Sequence, residues 1–209
     1  MKLFSIIAIV VAMLIMAPVA FGKVVVLFDE NTATEAGAGD FAGLFGSHDA
    51  GSVVEISSAE HYTGNVSAFC SPSQSYNNIM PDWSFPIDET PFLTMAWKKD
   101  GGAIIMIQMA FDTAWAYRYY DGDNSAGVGP TWEGIQLEAA IPENWRMFTR
   151  NLTEDFAAGW NLTGLAFTPW DGNGGYYDHI VLSTTEEEGQ TAVAPSGKTA
   201  ATWGDMKAR

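Results

Sequence analysis

The sequence predicts an all-β protein, an antiparallel sandwich with one short helix. From Lys23 onward, short runs rich in Val, Ile, Phe, Trp and Tyr alternate with Gly, Asp, Asn and Pro. This pattern is typical of many short strands joined by turns. Long stretches with helical periodicity are missing, and 151–158 is the one good helix candidate. We therefore expect a single β-sandwich domain over 23–183.

The first 22 residues predict a secretory signal peptide. A basic residue precedes an apolar run from Leu3 to Ala20, and the small residues Ala20 and Gly22 mark a cleavage site. The alternative is an uncleaved anchor, because the run approaches the length of a bilayer span, but Pro18 favours cleavage. We expect 1–22 to be removed, which would leave a secreted protein, extracellular or periplasmic, without stable membrane insertion.

The chain is strongly acidic, with a formal net charge of −15 at pH 7. Nucleic-acid binding needs clustered lysine and arginine side chains, so this balance argues against a nucleic-acid partner. The single cysteine, Cys70, permits no internal disulfide. A buried free thiol is expected there, with pairing to a second chain as the alternative.

Ten strands account for most of the domain. They are predicted near 23–28, 52–57, 63–70, 92–99, 103–111, 114–120, 134–138, 145–150, 162–168 and 176–182. A turn at Asp100-Gly101-Gly102 and a tight connection at Asp112-Thr113 predict a three-stranded meander over 95–120. The region 31–50 reads as a loop, and 184–209 as a flexible polar tail.

Side-chain alternation assigns the two faces of this meander. A buried, unpaired guanidinium is costly, so Arg118 and Tyr120 should face away from the core. The residues expected inside are Trp115, Tyr117, Tyr119, Ile105, Ile107, Met109, Phe111, Leu93, Met95 and Trp97. The residues expected outside are Ile104, Met106, Gln108, Thr94, Ala96 and Lys98.

The outward set mixes polar donors with apolar and aromatic side chains, which is the composition of a ligand groove. We predict a concave binding face whose ligand contacts come from Lys98, Gln108, Arg118 and Tyr120. The alternative is that Arg118 pairs with a nearby aspartate and merely covers the sheet.

The segment over roughly 92–182 resembles a module that recurs in exported bacterial proteins. The resemblance rests on the order of six stretches: AWKKDGG, IMIQM, YRYYDG, IPENW, TRNLTEDF and LTGLAFTPWDGNGGYYDHIVL. The design of this module is similar to jelly-roll carbohydrate-binding modules of the galactose-binding-like and concanavalin-like kinds. This resemblance implies a jelly roll and a polysaccharide or glycan partner. In several such families an acidic pair holds structural calcium, and the matching positions are Asp178 with Asp29 or Glu30.

Calcium is the expected cofactor, because it prefers clustered oxygen ligands. Besides the pair implied by the resemblance, the loop Asp171-Gly172-Asn173-Gly174, followed by Asp178, offers such ligands. The alternative for that loop is an ordinary Asx turn.

We therefore expect a secreted, non-catalytic carbohydrate-binding module. A structural or adhesive protein of the envelope or matrix is one alternative. A polysaccharide lyase is another, because Gln108, Arg118 and Tyr120 resemble part of a lyase set. Ala110, however, stands where the histidine of that set is expected.

Overall fold

The computed structural model describes residues 22–29, 45–48, 52–72, 77–79, 84–123 and 133–192. The predicted signal peptide lies almost wholly outside this part of the chain, as do Glu30 and residues 193–209. Two sheets stack face to face around one apolar core, which confirms the predicted jelly-roll β-sandwich.

The described elements, in chain order, are β1 (Val24–Phe28), β2 (Phe45–His48), β3 (Val54–Ser57), β4 (Ser67–Cys70), β5 (Asn77–Ile79), β6 (Phe85–Pro86), β7 (Phe92–Lys99), β8 (Ile104–Phe111), β9 (Ala114–Gly122), β10 (Glu133–Glu138), β11 (Arg146–Asn151), α1 (Leu152–Asp155), β12 (Asn161–Thr168), β13 (Gly175–Ser183) and α2 (Glu186–Thr191). All ten predicted strands are present. Three short strands were not predicted, and β2 lies in the region expected to be a loop.

The first sheet has the order β11-β7-β13-β4-β3, with β1 also paired to β13. The second has the order β10-β9-β8-β12-β5-β2, with β6 also paired to β12. Every described strand pair is antiparallel except β10 with β9, which is parallel.

Of the two hairpins in the predicted three-stranded meander, only one is present. β8 and β9 form the expected hairpin, and both turn residues, Asp112 and Thr113, adopt the positive φ of a tight hairpin. β7, however, belongs to the first sheet, where it pairs with β11 and β13. Gly101 and Gly102, with φ of 74° and 91°, carry the chain across the sandwich instead. The dipeptide Asp-Gly occurs both in hairpin turns and in connections between two sheets, so it does not distinguish them.

The core lies between the sheets and contains the predicted inward residues of β7 and β8, together with Tyr119. Trp115 is the exception. A bulge beside Met109 and Ala110 shifts the register, so Tyr117 opposes Met109 while Trp115 opposes Ala110. Because a bulge inserts one residue, the alternation changes face there, and half-buried Trp115 is not a core residue. The Cys70 side chain is buried, as predicted, and forms no disulfide within the described residues.

Two short helices complete the fold. The Asn151 side chain caps the predicted helix α1 by accepting from the Thr153 and Glu154 amides. Helix α2 was not predicted and lies within the segment read as a tail. It packs on the outer face of the first sheet, where a Cβ on Gly189 would lie 2.3 Å from the Thr94 hydroxyl. Across the described residues, neither helix has the length and apolar character needed to cross a membrane.

Candidate functional site

The four predicted ligand residues lie on two different faces. Gln108, Arg118 and Tyr120 are on the outer face of the second sheet, where Gln108 pairs with Arg118 across β8 and β9. Lys98 is on the outer face of the first sheet, because β7 belongs there. The prediction of a single groove lined by all four residues is therefore wrong.

The outer face of the second sheet is a second apolar cluster. Ile104, Met106 and Tyr120 pack together there, and Trp170 packs against them. Gln108 and Arg118 are only 6% and 4% exposed. The predicted orientation away from the core is confirmed, but these side chains are buried, so they do not form an open binding face. The mixed outward set predicted to form a ligand groove is therefore, on this sheet, a small buried cluster.

Arg118 lies flat over β10. A Cβ on Gly134 would approach the Arg118 Nε to 3.0 Å and the Tyr120 ring to 3.3 Å, so glycine makes room for both. Gln108 and Arg118 both point at the Met106 sulfur, at 3.6 and 3.8 Å. Burial lowers the pKa of Arg118 to about 10, although the nearby Tyr120 opposes this shift.

A cavity of about 490 Å³ opens on the outer face of the first sheet, and we name it the Tyr176 cleft. Its lining residues are Glu60, Phe69, Lys98, Asp100, Glu143, Asn173, Gly174 and Tyr176. The volume lies in the range of small-molecule sites. Lys98 is the one predicted ligand residue found there.

Strand register brings the cleft residues into line. Tyr176 on β13 is opposite Phe69 on β4 and opposite Lys98 on β7. Trp145 immediately precedes Arg146, whose partner on β7 is Trp97, so Trp145 continues the same line. The row therefore crosses β4, β13 and β7 and ends at the residue before β11.

The aromatic rings of this row are in mutual contact. The Phe69 and Tyr176 ring centroids are 5.0 Å apart, and those of Tyr176 and Trp145 are 6.5 Å apart. Tyr62 extends the series, with its ring 6.0 Å from that of Trp145. Phe69, Tyr176 and Trp145 are partly exposed, and Tyr62 is 38% exposed. The result is an apolar, solvent-accessible strip.

Gly174 sets the floor of the cleft. A Cβ at this position would lie 2.3 Å from the Phe69 ring and 2.6 Å from the Cys70 carbonyl oxygen. Only glycine therefore lets the Phe69 ring lie against the chain that leads into β13.

Polar groups border the aromatic strip. The Lys98 ammonium lies 2.9 Å from the Glu60 carboxylate. Glu143 lines both the Tyr176 cleft and a neighbouring cavity of about 420 Å³ beside Trp145. The Trp145 indole N–H is buried and, within the part of the chain that is described, has no hydrogen-bond acceptor. The rim donors and acceptors are therefore the charged groups of Lys98, Glu60 and Glu143.

The predicted metal residues Asp29 and Asp178 lie together beneath the loop that leads from β3 to β4. One Asp178 carboxylate oxygen accepts from the Tyr62 and Thr63 amides at 2.7 and 3.0 Å, and the other accepts from the His179 amide at 2.8 Å. The Thr63 hydroxyl donates to Asp29 at 2.9 Å. Burial raises the pKa of Asp178 to about 7, with a further contribution from Asp29. These hydrogen bonds fix the position of the loop whose residues Tyr62 and Glu60 border the cleft.

This pair fits calcium poorly. Calcium takes about six to eight oxygen ligands, whereas the Asp178 carboxylate accepts from three backbone N–H donors. His179 lies on the remaining side, 4.0 Å from Asp29. Among the described residues no group of three or more histidine, cysteine or acidic side chains is placed to hold a metal ion. Calcium binding stays a prediction, and the protein's own donors already serve these carboxylates.

The second predicted calcium loop is organised by a lysine. The ammonium of fully buried Lys99 donates to the backbone oxygens of Asp171 and Asn173, the latter at 2.5 Å. The Asp171 carboxylate accepts from the Ala103 amide at 2.7 Å. Burial lowers the pKa of Lys99 to about 8, although Asp171 opposes the shift. A side-chain cation thus already occupies the inside of this loop.

Sequence reasoning missed Phe69, Trp145, Tyr176 and the loop residues Glu60 and Tyr62. A partial signal was present, since alternation places Tyr176 on the face opposite to the buried Tyr177. The sequence predicts that β7 pairs with β8, so the predicted ligand face falls on the second sheet, whereas β7 pairs with β13 in the first.

Comparison with known proteins gives structural likeness only. No family model matches the chain, and no curated protein matches it. A mutant of the family 29 carbohydrate-binding module CBM29-2 is similar with a TM-score of 0.44 and 14% identity, covering 84% of this chain and 99% of that one. The family 30 carbohydrate-binding module of the Clostridium thermocellum cellulase Cel9D-Cel44B is similar with a TM-score of 0.41 and 9% identity, covering 64% and 83%.

The CBM22-1 xylan-binding domain of Paenibacillus barcinonensis Xyn10C is similar with a TM-score of 0.36 and 13% identity, covering 66% and 85% of the two chains. The resemblance to carbohydrate-binding modules expected from the sequence is confirmed in this sense. With TM-scores of 0.44 or less, any assignment of ligand and site rests on this chain's own residues.

Proposed function

We propose that this protein is a glycan-binding module and that the glycan lies in the Tyr176 cleft. The observation that carries the proposal is the row of partly exposed rings, Phe69, Tyr176 and Trp145, bordered by hydrogen-bonding side chains. A sugar ring has an apolar C–H face and a rim of hydroxyl groups. The partly exposed rings, tilted by 50° and 58° to one another, suit the face, and polar groups at their edge suit the rim.

Each side chain has a role in this proposal. Tyr176 is at the centre of the row and stacks on a sugar ring, while the ring of Trp145 supports a neighbouring unit. Glu60 and Lys98 hold each other at 2.9 Å, which orients both for hydrogen bonds to hydroxyl groups. The neighbouring cavity beside Trp145 lets a chain of several units continue across the face.

The test is retention of the protein on immobilised neutral, amino and uronate polysaccharides. We expect retention on at least one of them and its loss in Tyr176→Ala, while Tyr176→Phe keeps most of the affinity because the ring remains. Trp115→Ala is a matched control, since Trp115 is a half-buried aromatic residue on the other sheet. Equal retention of Tyr176→Ala and the unmodified protein would exclude the cleft as the site.

We also propose that the protein is exported and acts without catalysing a reaction. The support for export is the apolar run with small residues before Lys23. N-terminal sequencing of protein recovered from the cell envelope or medium should begin at Lys23. Incubation with the retained polysaccharide should release no new reducing or unsaturated ends, and either product would contradict the non-catalytic assignment.

A further inference from the structure

We propose that the Tyr176 cleft prefers glycans that carry ammonium groups, such as oligomers of deacetylated hexosamine, over uronate glycans. This inference rests on the proposed function, since it names the ligand class of the same cleft. It is argued from the charges on the lining of the cleft and from the position of its aromatic rings.

The one lysine of the cleft is already paired. The Lys98 ammonium lies 2.9 Å from Glu60, and the Lys98 side chain is only 16% exposed. A uronate carboxylate would have to compete with Glu60 for this cation. Arg146, which lines only the neighbouring cavity, lies 3.7 Å from Glu138, a longer contact than that of Lys98 with Glu60. The Tyr176 cleft itself therefore offers an incoming anion no unpaired lysine or arginine among the described residues.

The remaining charges of the cleft are negative. Asp100 and Glu143 both line it and are both exposed. Within the described residues, no lysine, arginine or histidine forms an ion pair with either of them. Glu143 borders the neighbouring cavity as well, so a ligand that spans both cavities passes this carboxylate. An anionic ligand would be repelled there and a cationic ligand attracted.

The aromatic strip acts in the same direction. An ammonium group placed over an aromatic face is attracted by the negative face of the ring. Tyr176 and Phe69 line the same cleft as the carboxylates of Glu60 and Glu143. An amino group of a bound glycan can therefore contact both an aromatic face and a carboxylate, whereas a neutral sugar gains only the first contact.

The test is calorimetric titration of the protein with three oligosaccharides of equal length: glucosamine, N-acetylglucosamine and galacturonate oligomers. We expect the glucosamine oligomer to bind best, the galacturonate oligomer worst, and the difference to shrink as salt is raised. In the Asp100→Asn/Glu143→Gln variant the preference for glucosamine over N-acetylglucosamine should fall about tenfold. Affinity for the neutral oligomer should change much less than affinity for the glucosamine oligomer, because Asn and Gln keep hydrogen-bonding groups at both positions.

Glu133→Gln/Glu154→Gln is the matched control, because both residues are exposed acids outside the cleft. It removes the same net charge, so it should keep the preference. Loss of preference in this control, or equal binding of all three oligomers, would overturn the charge inference while leaving glycan binding in place. Absence of binding by all three, or glucosamine binding that survives Tyr176→Ala, would count against the cleft itself.

Discussion

The indole N–H of Trp97 donates a 2.6 Å hydrogen bond to the carboxylate of Asp121, and this bond joins the two sheets through the core. Trp97 is on β7 of the first sheet and Asp121 is on β9 of the second, and both are fully buried. A buried indole N–H without an acceptor would be destabilising, so this acidic side chain inside the sandwich has a defined role.

Removing that acceptor should destabilise the protein. We expect Asp121→Ala to lower the free energy of unfolding by about 1–3 kcal/mol, because the Trp97 N–H would be buried without a partner. Asp121→Asn keeps an acceptor oxygen and should be much less harmful at pH 7. Chemical denaturation at fixed pH checks this, and equal destabilisation by both variants would contradict the role of the bond.

Asp178 should make stability depend on pH. Burial raises its pKa in the folded protein to about 7, from 3.8. The folded state therefore holds the proton more tightly, and stability from this group falls as pH rises from about 4 to about 7. We expect the unmodified protein to gain stability relative to Asp178→Asn as pH is lowered across that window, because asparagine does not titrate. A difference that stays constant from pH 4 to pH 7 would refute the assignment.

Chelation should leave the fold unchanged. The Asp178 carboxylate is served by amide donors, and Lys99 donates to the Asp171 loop. We therefore expect no change in Tm when a chelator or excess calcium is added. A Tm that rises with calcium concentration would instead support the acidic pair as a metal site.

Arg118 should matter for stability rather than for ligand binding. Its side chain is 4% exposed and packs over Gly134 and beside Met106. Arg118→Ala should lower the free energy of unfolding by about 1–3 kcal/mol through lost packing, whereas Arg118→Met should cost less because the stem is kept. Glycan retention by Arg118→Met should be unchanged. Loss of retention in this variant would indicate that the glycan binds on the second sheet.

Much of the fold could be predicted from local sequence. The bounds of β7 match the predicted strand, and those of β8 differ by one residue, because alternation and turn residues are local signals. The partner of β7 could not be predicted, since its neighbours β11 and β13 are distant in sequence. The short strands β2, β5 and β6 carry too few apolar residues to be recognised.

Most of the candidate site could not be predicted from the sequence, for the same reason. Phe69, Tyr176 and Trp145 come from separate parts of the chain and meet only through the register of the first sheet. Lys98 was found because it faces outward by simple alternation. The acidic pair Asp29 and Asp178 came from a family resemblance, and the structure brings the two together beside Thr63.

The pairing of β1 with β13 has a consequence for how the chain matures. Among the described strands, β1 pairs only with β13, and β13 also joins β7 to β4. A polypeptide synthesised amino end first therefore lacks the central strand of the first sheet until residues 175–183 have left the ribosome. We expect this sheet to close only after that point, in a slow step dominated by contacts between distant residues.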